Sequence, residues 1–209
     1  MGMAGKSRLE AMNLRLAESE LPVRLRFERP LSDDELMRFC IENEMLRVER
    51  DANGELILMS PTGLEGSSWN SEVNADLTLW ARQDGRGKVF DSNGGFTLPD
   101  GSMRSPDGAW LSWQRWNTLP REEQKKFGQV VPEFVIELRS ESDRLADVQA
   151  KMQMWIDNGV EVAWLIDPEE KSVTIYRPRQ QPECLVTPSS VQGSGPVAGF
   201  ELVMARIWG

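Results

Sequence analysis

Three side chains in the middle of the sequence could together hydrolyse a phosphate ester. Asp107 lies at the entrance of an extended apolar segment, Glu137 follows the apolar run 134–136, and Lys151 lies in the next stretch of helical periodicity. Carboxylates are the hard oxygen ligands that Mg²⁺ or Mn²⁺ prefers, with water completing the coordination. A lysine beside them can orient an attacking water and offset charge on a pentavalent phosphorus. These residue types therefore indicate metal-dependent phosphodiester hydrolysis.

Other interpretations of these residues remain open at this point. Acids at strand ends usually form ion pairs, so Glu137 could simply pair with Arg139 or Lys151. Arg139 could instead contact a substrate phosphate, because a guanidinium group stays charged and binds phosphate in a forked geometry. Glu65 lies at the border of the apolar face of a predicted helix. It is either a solvated charge or an acid that approaches a metal or water at the mouth of the site.

The elements that must position Glu137 and Lys151 lie between residues 132 and 168. The run 134–136 predicts a strand, and the polar residues 140–143 predict a turn able to cap the next helix. Apolar residues then recur at helical spacing: Leu145, Val148, Met152, Trp155 and Ile156. A second strand is predicted at 162–166. Such a connection most often joins parallel strands by a right-handed crossover, so we expect Glu137 and Lys151 to be neighbours.

Further elements are predicted on both sides of this unit. In chain order they are a strand at 23–27, a helix from 32 to about 41, a hairpin around the turn 51–54, a long helix at about 65–82, a strand from 88, a hairpin-like insertion at 94–101, a strand pairing at 172–176, a short strand near 184–186 and a final strand at 200–207. We expect a mixed α/β fold with one domain over residues 21–209 and an N-terminal arm over residues 1–20.

Composition excludes several classes of catalyst. The 209 residues include no histidine, which removes histidine-based nucleophilic machinery and histidine-ligated zinc. Cys40 and Cys184 lack metal-type spacing and are expected to be incidental thiols. Any catalyst here must use carboxylates and lysine, with or without a metal.

Charge and hydropathy bear on which partners the protein binds and where it is located in the cell. The formal net charge of −9 argues against a protein that binds nucleic acid over its whole surface, because it has the same sign as the phosphate backbone. No apolar run approaches the roughly 20 residues that a membrane-spanning helix needs, and the start of the chain has no secretory signal. We therefore expect a cytoplasmic protein that does not associate with a membrane.

The eight tryptophans could suggest base stacking. Trp69, Trp80, Trp155 and Trp164 nevertheless lie at positions with core periodicity, and we assign them to the core. A second group, at 110–116, follows the segment that begins at Asp107. These side chains either pack under a loop or border a groove or a dimer interface.

Several short segments together resemble the Uma-two family of restriction endonucleases, within the PD-(D/E)XK nuclease superfamily. The order and the spacing of the segments both agree over residues 20–209. The segments are Met-Ser-Pro-Thr-Gly at 59–63, Val-Phe-Asp-Ser at 89–92, Gly-Phe-Thr-Leu-Pro at 95–99, Arg-Ser-Pro-Asp at 104–107, Phe-Val-Ile-Glu-Leu-Arg-Ser at 134–140, Lys-Met at 151–152 and Trp-Leu-Ile-Asp-Pro at 164–168.

The resemblance implies a restriction-endonuclease-like core, a central mixed sheet flanked by helices, at about residues 63–177. It also implies DNA cleavage that depends on Mg²⁺ or Mn²⁺, by a homodimer where both strands are cut. Carried over by position, Asp107 and Glu137 match the two acids and the metal ligands. The motif's lysine position holds Arg139, and Lys151 supplies the lysine from the following helix. Glu65 matches the helix acid that often completes such sites.

Two further functions stay open. The nuclease fold could serve as a binding or assembly module in which the acids are only ion pairs. The site could also be a metal-dependent phosphohydrolase acting on RNA or a small nucleotide. The complete set of two acids and a lysine favours activity over a scaffold, because a scaffold would more often have lost one member. The third function is less favoured, because no base-recognition motif is present.

Overall fold

A computed structural model describes residues 22–59, 61–141 and 143–209. The chain separates into two compact units, residues 1–61 and residues 62–209. The arm predicted at residues 1–20 lies outside the described residues, and the single domain over 21–209 stays a prediction. Among the described residues, no helix is both long enough and apolar enough to cross a membrane.

The first unit is a three-stranded antiparallel sheet with one helix. Its elements are β1 (Val23–Leu25), α1 (Asp33–Glu42), β2 (Arg47–Arg50) and β3 (Leu56–Met59), and β3 pairs with both other strands. The predicted helix start is confirmed by a capping box, in which Ser32 and Glu35 each accept from the other's backbone amide. Hydrogen bonds from Arg29 and the Ser32 amide lower the pKa of Glu35 to about 2.

The second unit contains the remaining elements. They are α2 (Leu64–Asp84), β4 (Gly87–Asp91), β5 (Phe96–Thr97), β6 (Met103–Arg104), β7 (Gly108–Ser112), α3 (Trp113–Trp116), β8 (Phe134–Leu138), α4 (Leu145–Asp157), β9 (Val162–Asp167), β10 (Ser172–Tyr176), β11 (Glu183–Val186), β12 (Ser190–Gln192), β13 (Glu201–Val203) and α5 (Ala205–Trp208). The final strand predicted at 200–207 is wrong in its second half, because the chain turns at Met204 and continues as α5.

A six-stranded sheet organises this unit, in the order β11-β10-β9-β8-β7-β4. Only β8 and β9 run parallel, joined by α4 as the predicted crossover, and the other pairs are antiparallel. The sheet is therefore mixed, with helices packed on it, and the predicted α/β class is confirmed.

Side-chain alternation along the strands gives the sheet two apolar faces. We call the first the α2-face core; it includes Val73, Leu77, Trp110, Phe134, Ile136, Trp164 and Phe200. The second, the α4-face core, includes Ala109, Val135, Met152, Trp155, Ala163 and Leu165. Trp155 and Trp164 are fully buried, in agreement with their predicted place in the core. The sheet is thus covered on both faces, and polar side chains on it need specific partners.

Candidate active site

The register of β7 against β8 brings the two predicted acids together. Gly108 is paired with Ile136 in this antiparallel ladder, so the next position along each strand places Asp107 opposite Glu137. Residues directly opposite each other have Cβ atoms about 4.5–5.5 Å apart. Both residues follow the alternation of Ala109 and Val135, and therefore lie on the sheet face that α4 covers. Each acid is only 5% exposed.

Two side chains from α4 hold the Glu137 carboxylate. The Lys151 ammonium lies 2.9 Å from Oε1 and 3.0 Å from Oε2 of Glu137. The indole Nε1 of Trp155 donates to Oε1 at 2.8 Å. Lys151 and Trp155 are four residues apart and therefore point from the same face of the helix. A buried carboxylate needs such partners, because leaving its charge unpaired in the interior is costly.

The Asp107 carboxylate is held by the backbone of β8. The Leu138 amide donates to its Oδ2 at 2.8 Å. Since Leu138 directly follows Glu137, this bond fixes the two acids relative to each other. The Asp107 carbonyl in turn accepts from the Asn74 side-chain amide at 2.8 Å, which ties the start of β7 to α2.

Arg139 makes a different ion pair from the one that sequence alone allowed. Its Nη1 lies 2.6 Å from Oδ2 of Asp167, and its Nε contacts the Asp143 carbonyl at 3.3 Å. The hydrogen bond to Asp167 raises the pKa of the Arg139 guanidinium. Sequence alone allowed Glu137 to pair with Arg139 or with Lys151, and in the structure it pairs with Lys151. A phosphate contact by Arg139 stays a prediction.

Glu65 lies in the first turn of α2 and is exposed. Asn74, the α2 residue that contacts Asp107, lies nine residues further along the helix. At 1.5 Å per residue this is about 13 Å along the helix axis. A carboxylate in a first helical turn also complements the helix dipole, which accounts for Glu65 without catalysis. Its predicted place in the site stays a prediction.

The chemistry of the two acids fits a divalent cation that keeps several waters. Carboxylate oxygens have spare lone pairs beyond a single N–H contact, and Mg²⁺ is typically bound by one or two carboxylates and water. Within residues 22–59, 61–141 and 143–209, no three acidic, cysteine or histidine side chains converge to form a metal cage. If a divalent cation binds at this edge of the sheet, Asp107 and Glu137 are the candidate protein ligands, and the other positions are left for water and substrate.

A cavity of about 420 Å³ adjoins the residue that anchors Asp107. It is lined by Asn74, Thr78, Val89, Phe90, Asp91 and Gly94. The Oδ1 atom of Asn74 is buried and accepts no hydrogen bond within the described part of the chain. The cavity therefore combines polar and apolar groups close to the start of β7.

Sequence reasoning missed two residues of this arrangement. Trp155 was assigned to the core, which is correct, but its indole N–H also bonds to Glu137. The four-residue spacing between Lys151 and Trp155 is the signal that could have indicated it. Asn74 had no such signal, because its partner is a backbone carbonyl 33 residues away.

Comparison with known proteins supports this fold. A crystal structure described as "a putative nuclease belonging to DUF820", from Anabaena variabilis, superposes with a TM-score of 0.67 at 24% sequence identity. The match covers 86% of this chain and 98% of that chain. It agrees with the restriction-endonuclease-like core expected from the sequence.

Family membership rests on a separate comparison. No curated protein matches the chain significantly. The model of the Uma2 family, described as "Putative restriction endonuclease", matches residues 33–205. The resemblance found in the sequence is confirmed, and because the match spans most of the chain, this protein belongs to the Uma2 family.

Proposed function

We propose that this protein is an endonuclease that hydrolyses DNA phosphodiester bonds with Mg²⁺ or Mn²⁺. Membership of a restriction endonuclease family supports a nuclease. The observation that carries the proposal is the set of two buried acids, Asp107 and Glu137, with the partly exposed Lys151. They come from the residue before β7, from β8 and from α4. The two carboxylates are hard oxygen ligands for a divalent metal ion, and the lysine supplies a positive charge for the phosphate under attack.

Asp107 and Glu137 would hold the cation at the end of β8. A bound divalent cation supplies positive charge beside the phosphate under attack. A water oxygen attacks phosphorus, the bond from phosphorus to the leaving sugar oxygen breaks, and that oxygen is protonated as the water gives up its proton. Because Asp107 is fixed through the Leu138 amide, both carboxylates keep their relative position during the step.

Lys151 would act on the substrate as a hydrogen-bond donor and a positive charge. From its place beside Glu137, it can align the attacking water or stabilise the charge that develops on phosphorus. Its side chain is 20% exposed, against 7% for Glu137, so it is the member of the pair that a substrate phosphate can reach. Arg139 holds the motif's usual lysine position but pairs with Asp167. This division supports Lys151 in the lysine role.

The acidic chain favours modest, cation-dependent affinity for DNA. A net charge of −9 repels the phosphate backbone over most of the surface, and a divalent cation reduces this repulsion locally. One site of this kind cuts one strand. We therefore propose a homodimer for double-strand cleavage, and a cytoplasmic location.

The test is cleavage of supercoiled DNA, single-stranded DNA and RNA with Mg²⁺ or Mn²⁺. Wild type is compared with Asp107→Ala and Lys151→Ala. Glu161→Gln serves as a control, because Glu161 pairs with Arg115 and is 49% exposed. We expect both site variants to lose at least a hundredfold in rate while the control stays within twofold. Cleavage of RNA alone would replace DNA as the substrate.

A catalytically silent scaffold is the second candidate, and one contact favours it. Lys151 lies within 3.0 Å of both Glu137 oxygens, as in a purely structural ion pair. A scaffold would show no cleavage of any nucleic acid and no Mg²⁺ binding in calorimetry. Cleavage that is lost in Asp107→Ala would exclude it.

A further inference from the structure

We infer that Trp155 is a positioning residue that holds the Glu137 carboxylate in the orientation needed for metal binding. The inference rests on the proposed function and adds a residue to it. Trp155 touches neither metal nor substrate; it acts through a hydrogen bond from Nε1 to Oε1 of Glu137, 2.8 Å long.

The donor is rigid. Trp155 is completely buried in the α4-face core, with Met152 and Leu165 among the side chains of that cluster. An indole can only donate through its nitrogen, and only two side-chain torsions set its position. Packing in a dense core holds both torsions. The N–H therefore points at a fixed place, and the carboxylate oxygen must meet it there.

Lys151 cannot provide the same orientation. Its ammonium lies 2.9 Å from one Glu137 oxygen and 3.0 Å from the other, so it does not distinguish between them. Trp155 does distinguish them, because it donates to Oε1.

The indole also lets Lys151 move. If Lys151 turns from Glu137 toward a substrate phosphate, the carboxylate loses a charged partner while still buried. A buried charge without a partner is costly, and a remaining N–H donor reduces that cost. Trp155 thus keeps Glu137 in place while Lys151 is shared with the substrate.

The chain contains a matched control for this bond. Trp164 is also fully buried, on β9, but its Nε1 has no hydrogen-bond partner within the described residues. It stacks on Phe200 in the α2-face core, with ring centroids 5.5 Å apart. Trp164→Phe therefore removes the same ring volume and the same N–H group as Trp155→Phe, without touching a carboxylate.

The first measurement uses the indole resonances of protein labelled with ¹⁵N. The chain has eight tryptophans, and the two phenylalanine variants assign the two signals of interest. On titration with Mg²⁺ we expect the Trp155 N–H resonance to shift along the binding curve and the Trp164 resonance to stay in place. An unmoved Trp155 resonance, while calorimetry shows Mg²⁺ binding that depends on Asp107, would overturn the inference.

The second measurement compares Mg²⁺ affinity and cleavage in the two variants. We expect Trp155→Phe to weaken Mg²⁺ binding by about tenfold or more, as loss of a group that orients a metal ligand usually does. Trp164→Phe should stay within twofold at a comparable melting temperature. Equal losses of Mg²⁺ affinity in the two variants would show that Trp155 acts only through its packing in the core.

The outcomes separate this inference from the proposed function. If wild type binds Mg²⁺ but cleaves no nucleic acid, the endonuclease proposal fails and the affinities still decide the role of Trp155. If wild type cleaves DNA and Trp155→Phe keeps its Mg²⁺ dependence, only the inference fails. If wild type binds no divalent cation, both fail.

Discussion

Replacing Lys151 with methionine tests the central ion pair of the candidate site. The substitution keeps most of the apolar stem and removes the ammonium group from both Glu137 oxygens. Removing one partner of a fully buried pair costs about 3–5 kcal/mol. Here the Trp155 N–H remains on Oε1, and the 20% exposure of the lysine side chain lets water reach the vacated position. We therefore expect a loss of about 1–3 kcal/mol in the free energy of unfolding.

Urea unfolding at pH 7 measures this loss, with Lys125→Met as the matched control. Lys125 pairs with Glu122 at 2.8 Å, but the two side chains are 57% and 74% exposed. Such a surface pair contributes well under about 1 kcal/mol. Adding Glu137→Gln to Lys151→Met completes a double-mutant cycle, in which the coupling energy should also be about 1–3 kcal/mol. Equal, small losses in Lys151→Met and Lys125→Met would refute a buried pair.

Three further predictions concern other parts of the chain. Asn74→Ala removes the bond to the Asp107 carbonyl and should cost about 0.5–1.5 kcal/mol in urea unfolding, with a cleavage rate reduced more than in Thr78→Val. Glu35 has a pKa lowered to about 2 in the folded chain, so the stability it contributes is complete above about pH 4.5 and is lost as the pH falls toward 2. In Glu35→Gln, the free energy of unfolding measured with urea should therefore depend less on pH in that window. Burial raises the pKa of the Cys40 thiol to about 11, so mass spectrometry after iodoacetamide treatment at pH 8 should find the exposed Cys184 alkylated first.

The local part of the site could be predicted from the sequence. Helical spacing in 145–156, between two apolar runs, predicts a crossover, and the handedness of crossovers places Lys151 beside Glu137. The hydrogen bond between their side chains agrees with this. One detail differs: the Ser140 amide donates to the Asp143 side chain, and the helix begins after Arg144, whose side chain makes no capping hydrogen bond.

The long-range part could not be predicted from periodicity. A connection of about twenty residues, which begins with the short helix α3, separates β7 from β8, so nothing local sets the register that places Asp107 opposite Glu137. Family resemblance supplied that pair instead. The ion pair between Arg139 and Asp167 also joins the ends of two strands, and it required the β8–β9 pairing to be known. The strand predicted at 200–207 is wrong in its second half, because a short apolar run does not distinguish a strand from a helix.

The hydrogen bonds of the candidate site join residues at different separations along the sequence. These separations predict the order in which the parts of the site form during folding. Glu137 meets Lys151 and Trp155 across 14 and 18 residues, whereas Asp107 meets the Leu138 amide across 31. Shorter loops close at a lower entropic cost, so the half built on α4 should form first. During synthesis Asp107 leaves the ribosome before Glu137 and before the Leu138 amide that holds its carboxylate, and both of these come only with β8. A growing chain therefore carries no assembled pair of acids until β8 has emerged, and Lys151 joins them only when α4 follows.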